Sequence, residues 1–437
     1  MFGKLRGNQG GVLIDRKRGF YDETQETMPP EEREALRKAI LRDAVNHAYE
    51  NAPATRKKMD ESGVKPSEVR DVTDLARIPV TRKADLKSIQ KAELPFGGLA
   101  AAPPRAMRRI YVSPGPTYDP EGREESHWRW EKAFVAAGFR PGDIVQNTFM
   151  YHFSPAGLMF DEALIRIGCT VVPAGVGNTE MQAQVMRDLC VTGYVGTPSF
   201  LMTILEKGKE MGITPGKGLC IQVALVAAEM LPEALRRTFQ EEFGIQVRQA
   251  YGTADAGSLG YECYEGKGMH IPDEILLELV DPATGEPVGP GRIGEVVVTL
   301  PNATYPLVRF GTGDLSLFTD EPCPCGRSSS RLVRIVGRID QVTKVKGMFV
   351  HPEQVEQVEK KIPEIVSIQL VITRVGHEDQ MTIRTALKSA ALHSDELGTR
   401  ISEVAREITR LRGEVVFVDR ADLAGEEKKI VDKRKWE

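Results

Sequence analysis

From Glu31 to Gly63 apolar side chains recur at helical spacing, with Leu36, Ile40, Leu41, Val45 and Ala48 on one face and charge on the other. The pattern predicts an amphipathic helix, interrupted at Pro53 and followed by a second. Between residues 130 and 260 the rhythm changes. Apolar, β-branched runs ("TVVPAG", "GYVGTPS", "IQVALVAAE", "IQVRQAYG") alternate with helical stretches ("EMQAQVMRDLC", "SFLMTILEKGKEMG", "LPEALRRTFQEEFG"). Strands of this kind, separated by helices, predict crossover connections over a largely parallel sheet and hence an α/β class. After about Pro272 the stretch "ILLELVDPATGEPVGPGRIGEVVVTL" reads as short strands joined by Gly/Pro turns, a β subdomain. Near Gly337 the pattern shifts again, to strands interleaved with the helices "HPEQVEQVEKKIPE" and "SDELGTRISEVAREITRLRG". The expected organisation is a large N-terminal domain over residues 1–337 and a small α+β domain over 338–437.

Length agrees with this division, since 437 residues exceed what one hydrophobic core organises. Acids and bases are interspersed and the formal net charge is −4, so no basic field exists to recruit nucleic acid or anionic lipid. No apolar stretch is long enough to span a bilayer, and the opening "MFGKLRGNQGG" lacks the apolar segment of a secretory signal. A cytoplasmic protein with no nucleic-acid or membrane partner is expected. In a reducing compartment the 6 cysteines are not expected to form disulfides, and Cys169, Cys190 and Cys220, lying in apolar patterns, are expected in the core.

The stretch "YVSPGPTYDPEG", Tyr111 to Gly122, has the glycine and hydroxyl content of a phosphate-holding loop but no lysine, and three prolines delete backbone donors. It also reads as a surface turn. Its context decides. "YPLVRFGTGDLS" followed by "GRIDQVTKVKGMFVHPEQVE" resembles the adenylate-forming superfamily, and within it the phenylacetate–coenzyme A ligase family. "ALVAAEML", "AYGTADAGSLGYEC" and the helical region from Phe20 to Lys87 agree with that family in the expected order, so the resemblance covers nearly the whole chain.

The resemblance implies an enzyme that activates a carboxylic acid with ATP and Mg²⁺ as an acyl-adenylate, then passes the acyl group to coenzyme A. It implies that Asp314 grips the ribose hydroxyls and that Tyr251, Gly252 and Thr253 flank adenine opposite Ala228 and Glu229. Asp255, where the family usually carries Glu, would hold magnesium. Ser113, Gly115 and Thr117 would remain of the phosphate loop, with Arg338 beside the nucleotide and Asp340 as the hinge of a mobile small domain. The aromatics of "FMYHFSPAGLMF", with Tyr151, His152 and Phe153 foremost, resemble the segment that closes over the acyl group, which favours an aryl or arylacetic acid. Relatives often pair as homodimers, so a homodimer is expected.

Two departures stand out. Asp119 occupies the stretch where the loop lysine is usual, bringing negative charge toward phosphate unless magnesium or Arg123 offsets it. Near the C-terminus, alignment on "IVDKR" puts Glu426 where relatives carry the adenylation lysine, leaving Lys428, or Lys429, to supply it. Two rival readings therefore stay open: an adenylate-forming enzyme with an amine or carrier-protein thiol as acceptor, and a nucleotide- or acyl-binding protein without turnover.

A metal site is expected independently of the nucleotide. "CYEGKGMH" brings Cys263 and His270, and "EPCPCGR" brings Cys323 and Cys325. Two close pairs of thiol and imidazole ligands meet the tetrahedral N/S preference of zinc, and four protein ligands make such a site structural.

Overall fold

The computed structural model describes residues 15–113, 116–339, 343–345, 348–350, 352–375, 378–423 and 429–434. The first predicted helix spans Pro30–Asn51 (α1), and Pro53 opens the next, Pro53–Glu61 (α2), at a position where its missing N–H is no loss. Leu41, Val45 and Ala48 are buried against Met59 of α2 and against Leu276 and Val308 of the sheet region.

A hairpin follows, β1 (Arg109–Ser113) and β2 (Thr117–Glu121). Strands β3 (Ile144–Asn147), β4 (Thr170–Pro173), β5 (Gly193–Gly196), β6 (Val223–Val226) and β7 (Gln246–Thr253) then form a parallel array in the order β4-β3-β5-β6-β7. Helices Ala156–Arg166 (α3), Thr179–Asp188 (α4) and Pro198–Glu210 (α5) make the crossovers. Both faces of this array are covered. In β6, Val223 and Leu225 enter the core shared with Phe134 and Phe160, whereas Ala224 and Val226 enter the one shared with Leu201 and Phe239. That two-sided burial is why the strands read as unbroken apolar runs.

The strands expected as a β subdomain continue the same sheet. From β7 it runs antiparallel through β8 (Gly257–Glu262), β9 (Met269–His270), β13 (Arg331–Arg338), β12 (Phe310–Thr319), β11 (Gly294–Thr299) and β10 (Leu276–Val280). With Thr81–Arg82 pairing parallel to β12, the sheet has 12 strands. Strand β7 is where parallel pairing gives way to antiparallel.

Beyond β13 lie helix α6 (Pro352–Lys361), strands β14 (Ile365–Val375) and β15 (Glu378–Leu387), helix α7 (Asp395–Thr409), and strands β16 (Glu414–Phe417) and β17 (Ile430–Asp432). Their sheet runs β16-β15-β14-β17, and Val355, Leu397, Ile401, Leu370 and Ile383 form a core of its own beneath the helices.

One expectation is overturned. Cys190 and Cys220 are not separate core residues but a disulfide, with Cys190 exposed. The reason is strand register. Gly193 and Val223 are parallel partners, and each cysteine stands three residues ahead of its partnered position, so the pairing of β5 with β6 brings the two thiols together. Cys169 is buried as expected.

Candidate functional site

The bulge at Tyr251/Gly252 interrupts the pairing of β7 with β8 and turns the end of β7 toward a cleft of about 960 Å³. Gly252 is required there: a Cβ would lie 2.3 Å from the Gly257 carbonyl oxygen and 2.7 Å from the Trp130 ring. Tyr251, Gly252 and Thr253 line the cleft together with Ala228 and Glu229 from the end of β6 and with Asp314 and Arg338 from β12 and β13. Ala228 takes a left-handed backbone, φ 69°, which swings Glu229 out of the strand line, and the Glu229 carboxylate accepts the Ser199 N–H at 3.4 Å. Asp314 and Arg338 are register partners across β12 and β13, and their side chains meet at 3.3 Å. The Tyr251 hydroxyl donates to the other Asp314 oxygen at 2.8 Å. Burial, and then the charge of Asp314, raise the Tyr251 pKa well above the phenol range, which keeps that hydroxyl a donor. Seven residues picked from four sequence blocks thus share one cavity.

Within the stretch 111–122, the described residues Tyr111–Ser113 and Thr117–Glu121 pair as the hairpin β1–β2 and do not open a helix. Ser113 and Thr117 face each other across it, and Gly115 lies outside the described residues. Asp119 is only 1% exposed. One of its oxygens accepts the Ser113 hydroxyl, the other has no hydrogen-bond partner, and the carboxyl abuts Asp255. Burial first, and the Asp255 charge second, push the Asp119 pKa up to about 8. Arg123, considered as the offsetting cation, is exposed and donates instead to the Ala106 carbonyl at 3.2 Å. The cation that reaches this corner is Lys83, whose Nζ sits 2.5 Å from Asp255 and whose side chain also lines the cleft. Sequence reading missed it, because nothing in "TRKADL" distinguishes Lys83 from its neighbours. The oxygen donors of Asp255 and Asp119 suit a hard divalent cation such as Mg²⁺.

Tyr151, His152 and Phe153 are not among the residues lining this cleft. Phe153 is 77% exposed with φ 58°, and its carbonyl accepts the Val112 N–H at 2.9 Å, which moors the segment to the hairpin. Tyr151 turns inward over Gly157, where a Cβ would meet its ring at 2.8 Å. Lys428 and Asp340 lie outside the described residues. Lys429 is described and is engaged within the small sheet's layer, pairing with Glu359 of α6 at 2.6 Å.

The expected sulfur–imidazole set does converge. The ligand atoms of Cys263, His270, Cys323 and Cys325 all lie within 4.8 Å of one another, and three of the residues are buried. Two turns of the same design present them. Gly266 and Gly326, each left-handed, return their N–H groups to the carbonyls of Cys263 and Cys323 at 3.1 Å. His270 Nε2 faces Cys325 Sγ at 3.4 Å, and its Nδ1 lies 3.3 Å from the Ser329 hydroxyl. The Arg327 N–H donates to Cys325 Sγ at 3.4 Å. The contact with Cys263, and then His270, hold the Cys325 thiol well below its usual range, so a thiolate is already favoured there. The donor set fits a tetrahedral soft-metal site with its outer contacts in place.

Comparison with known proteins places these features. The profile of the AMP-binding enzyme family matches residues 130–305. A phenylacetate-coenzyme A ligase of Thermus thermophilus is 36% identical over 378 residues, covering 84% of each chain. One from Aromatoleum evansii is 30% identical over 428 residues, covering 92% of this chain and 95% of that one. Among solved structures, an open conformation of 2-hydroxyisobutyryl-CoA ligase with 2-HIB-AMP and CoA superposes with TM-score 0.84 at 24% identity, covering 98% of this chain and 96% of that one. The same ligase in its thioesterification state, at 24% identity over 98% of this chain and 94% of that one, superposes with TM-score 0.69.

Proposed function

The chain belongs to the phenylacetate–coenzyme A ligase family of AMP-binding, adenylate-forming enzymes, and from that premise we propose how its own residues divide the work. The reaction is ATP-dependent acid–thiol ligation: the carboxylate attacks the α-phosphate of ATP, pyrophosphate leaves, and the coenzyme A thiol then displaces AMP from the acyl-adenylate. Asp314 accepts both ribose hydroxyls in place of the Tyr251 hydroxyl, while the Tyr251 ring and the backbone of Gly252 and Thr253 hold one side of adenine and Ala228 and Glu229 the other. Arg338 neutralises Asp314 between turnovers and meets the nucleotide when it binds. Lys428 serves the carboxylate and α-phosphate during adenylation. Magnesium held at Asp255 supplies positive charge against the phosphates. Zinc held by Cys263, His270, Cys323 and Cys325 is structural and ties the end of β8 to the turn before β13.

The observation that carries this reading is the convergence of Ala228, Tyr251, Asp314 and Arg338 on one cleft at the β7 switch. Superposition on the open state, better than on the thioesterification state of the same enzyme, supports a small domain over residues 338–437 that turns about Asp340 between half-reactions. The substrate is an aryl or arylacetic acid, met by Tyr151, His152 and Phe153 when the hairpin-moored segment folds inward. The enzyme acts in the cytoplasm, as a homodimer. Among the described residues no helix is long and apolar enough to cross a membrane.

A pyrophosphate-release screen over aryl, arylacetic and aliphatic acids, with and without coenzyme A, tests the assignment. Release that requires an aryl or arylacetic acid, with thioester formed only when coenzyme A is present, is expected. Turnover with an amine in place of the thiol points to the other acceptor class, and no release with any acid favours a binding protein without turnover.

A further inference from the structure

Asp119 and Asp255 bring two buried carboxyl groups together in one corner. Both carboxylates are buried, Asp119 at 1% exposure and Asp255 at 5%, and they come from unrelated stretches, β2 and the turn after β7. Among the described residues Lys83 answers them with a charge, and its ion pair is with Asp255. One Asp119 oxygen is buried without a hydrogen-bond partner, and the carboxyl abuts Asp255. The Tyr305 hydroxyl, also buried and with Gln90 beside it, lies within the field of both carboxylates. Leaving buried polar oxygens unanswered is costly, and each such group in a folded protein calls for an explanation.

A divalent cation supplies one. Two carboxylates balance its charge, and Mg²⁺ is commonly held by one or two carboxylates with water and substrate phosphate completing the shell. We propose that Asp119 and Asp255 together bind one divalent cation and that Lys83 is the counter-ion it displaces toward the cleft. The proposal rests on the ligase reading for its purpose and gives Asp119 a task in this loop. Where a lysine would otherwise meet the phosphates, this chain carries a carboxylate that recruits a metal. Lys83, 31% exposed and already on the cleft wall, becomes free to face the triphosphate. The exchange explains how a loop with an acid at this position still accepts a polyanion, since the metal cancels both carboxylates and the ammonium adds a positive charge.

The test titrates Mn²⁺ into the full-length protein without nucleotide or acid and follows the loss of the free-ion EPR signal, so a protein that never releases pyrophosphate still answers it. One bound Mn²⁺ per chain, competed by Mg²⁺, is expected. Asp119→Asn keeps the size and the contact with Ser113, and is expected to weaken that binding about tenfold or more while leaving the melting temperature unchanged or higher. Lys83→Met removes the competing ammonium and is expected to tighten binding. No bound Mn²⁺ in the wild type, or wild-type binding in Asp119→Asn, overturns the proposal. Should Asp119→Asn fail to fold, Asp119→Ser takes its place with the same two outcomes. A wild-type protein that binds no Mn²⁺ but still releases pyrophosphate with an acid leaves the ligase reading standing by itself, and metal binding without any release leaves the site standing by itself.

Discussion

Two buried clusters of ionisable side chains bear on the same sheet, and they are built in opposite ways. The Cys263–His270–Cys323–Cys325 cluster is assembled from two short turns of one design, and its members already have outer partners: Gly266 and Gly326 close the turns, Ser329 faces the imidazole and the Arg327 N–H reaches sulfur. The Lys83–Asp119–Asp255 corner draws its members from three distant stretches and leaves a carboxylate oxygen unanswered. The first cluster is organised to keep what it holds. The second adjoins the cleft wall through Lys83 and keeps a buried carboxyl oxygen without a partner, as expected where a ligand comes and goes.

The sharpest break in that comparison is thermal. Cys323→Ser removes a ligand from a closed set whose binding energy is folding energy, and is expected to abolish a content of about one zinc per chain and to lower the melting temperature by about 10 °C or more. Elemental analysis and calorimetry on the wild type and on Asp119→Asn set the contrast, because the latter loses no fold-holding group. Metal-free wild-type protein of equal stability would return the four residues to ordinary packing. The N-terminal segment should loosen with the zinc. Buried Arg327, adjoining the cluster, pairs with Glu26 at 2.5 Å and donates to the Gly19 carbonyl at 2.8 Å.

A third cluster, Tyr251–Asp314–Arg338, sharpens the contrast from the cleft side. Its groups are partnered among themselves, so replacing Asp314 should affect the ligand more than the fold. Asp314→Ala is expected to cost about 10² in kcat/KM for ATP, the loss of two charge-assisted hydrogen bonds, with little change in melting temperature. Unchanged use of ATP removes Asp314 from the ribose role. Gly252→Ala acts on the same wall by sterics: its Cβ would strike the Gly257 carbonyl and Trp130, and a loss of about 1–3 kcal/mol in unfolding free energy is expected by denaturant titration.

These clusters also show which parts of the molecule the sequence makes legible. Local design is readable. Pro53 at the first turn of α2, the left-handed glycines after Cys263 and Cys323, and the apolar runs of β5 and β6 each carry their signal within a few residues. Convergence over distance is not. Lys83 meets Asp255 only because α1, α2 and the segment after them pack on the antiparallel half of the sheet. Cys190 meets Cys220 only through the register of β5 against β6. The strands after Pro272 read as a separate unit because periodicity reports strands and not their neighbours, whereas the β7–β8 hairpin joins them to the parallel array. Nor does an aromatic run declare which way it faces, and Phe153 points outward. Where the nucleotide residues were concerned, family resemblance carried what spacing could not, bringing Tyr251 and Asp314 together across many intervening residues.

The smallest expected effect comes from a carboxylate close to Asp119 in sequence and opposite to it in circumstance. Glu124 is partly buried, which by itself would raise its pKa, but the hydrogen bond with His127 at 2.9 Å, with further help from Thr304, brings it down to about 2. A folded-state value below the ordinary 4.5 means that the folded protein binds fewer protons than the unfolded chain between those limits. The stability Glu124 contributes is therefore complete above about pH 4.5 and is lost as pH falls toward 2. Glu124→Gln should lower the melting temperature by a few degrees at neutral pH and should narrow its gap to the wild type as the solution is acidified through that window. A gap that stays constant with pH would mean that the side chain acts by packing alone. Because Glu124 has partners for both oxygens and Asp119 does not, the two neighbours should part in the sign of their response: amide substitution weakens the fold at Glu124 and leaves it unchanged or stronger at Asp119.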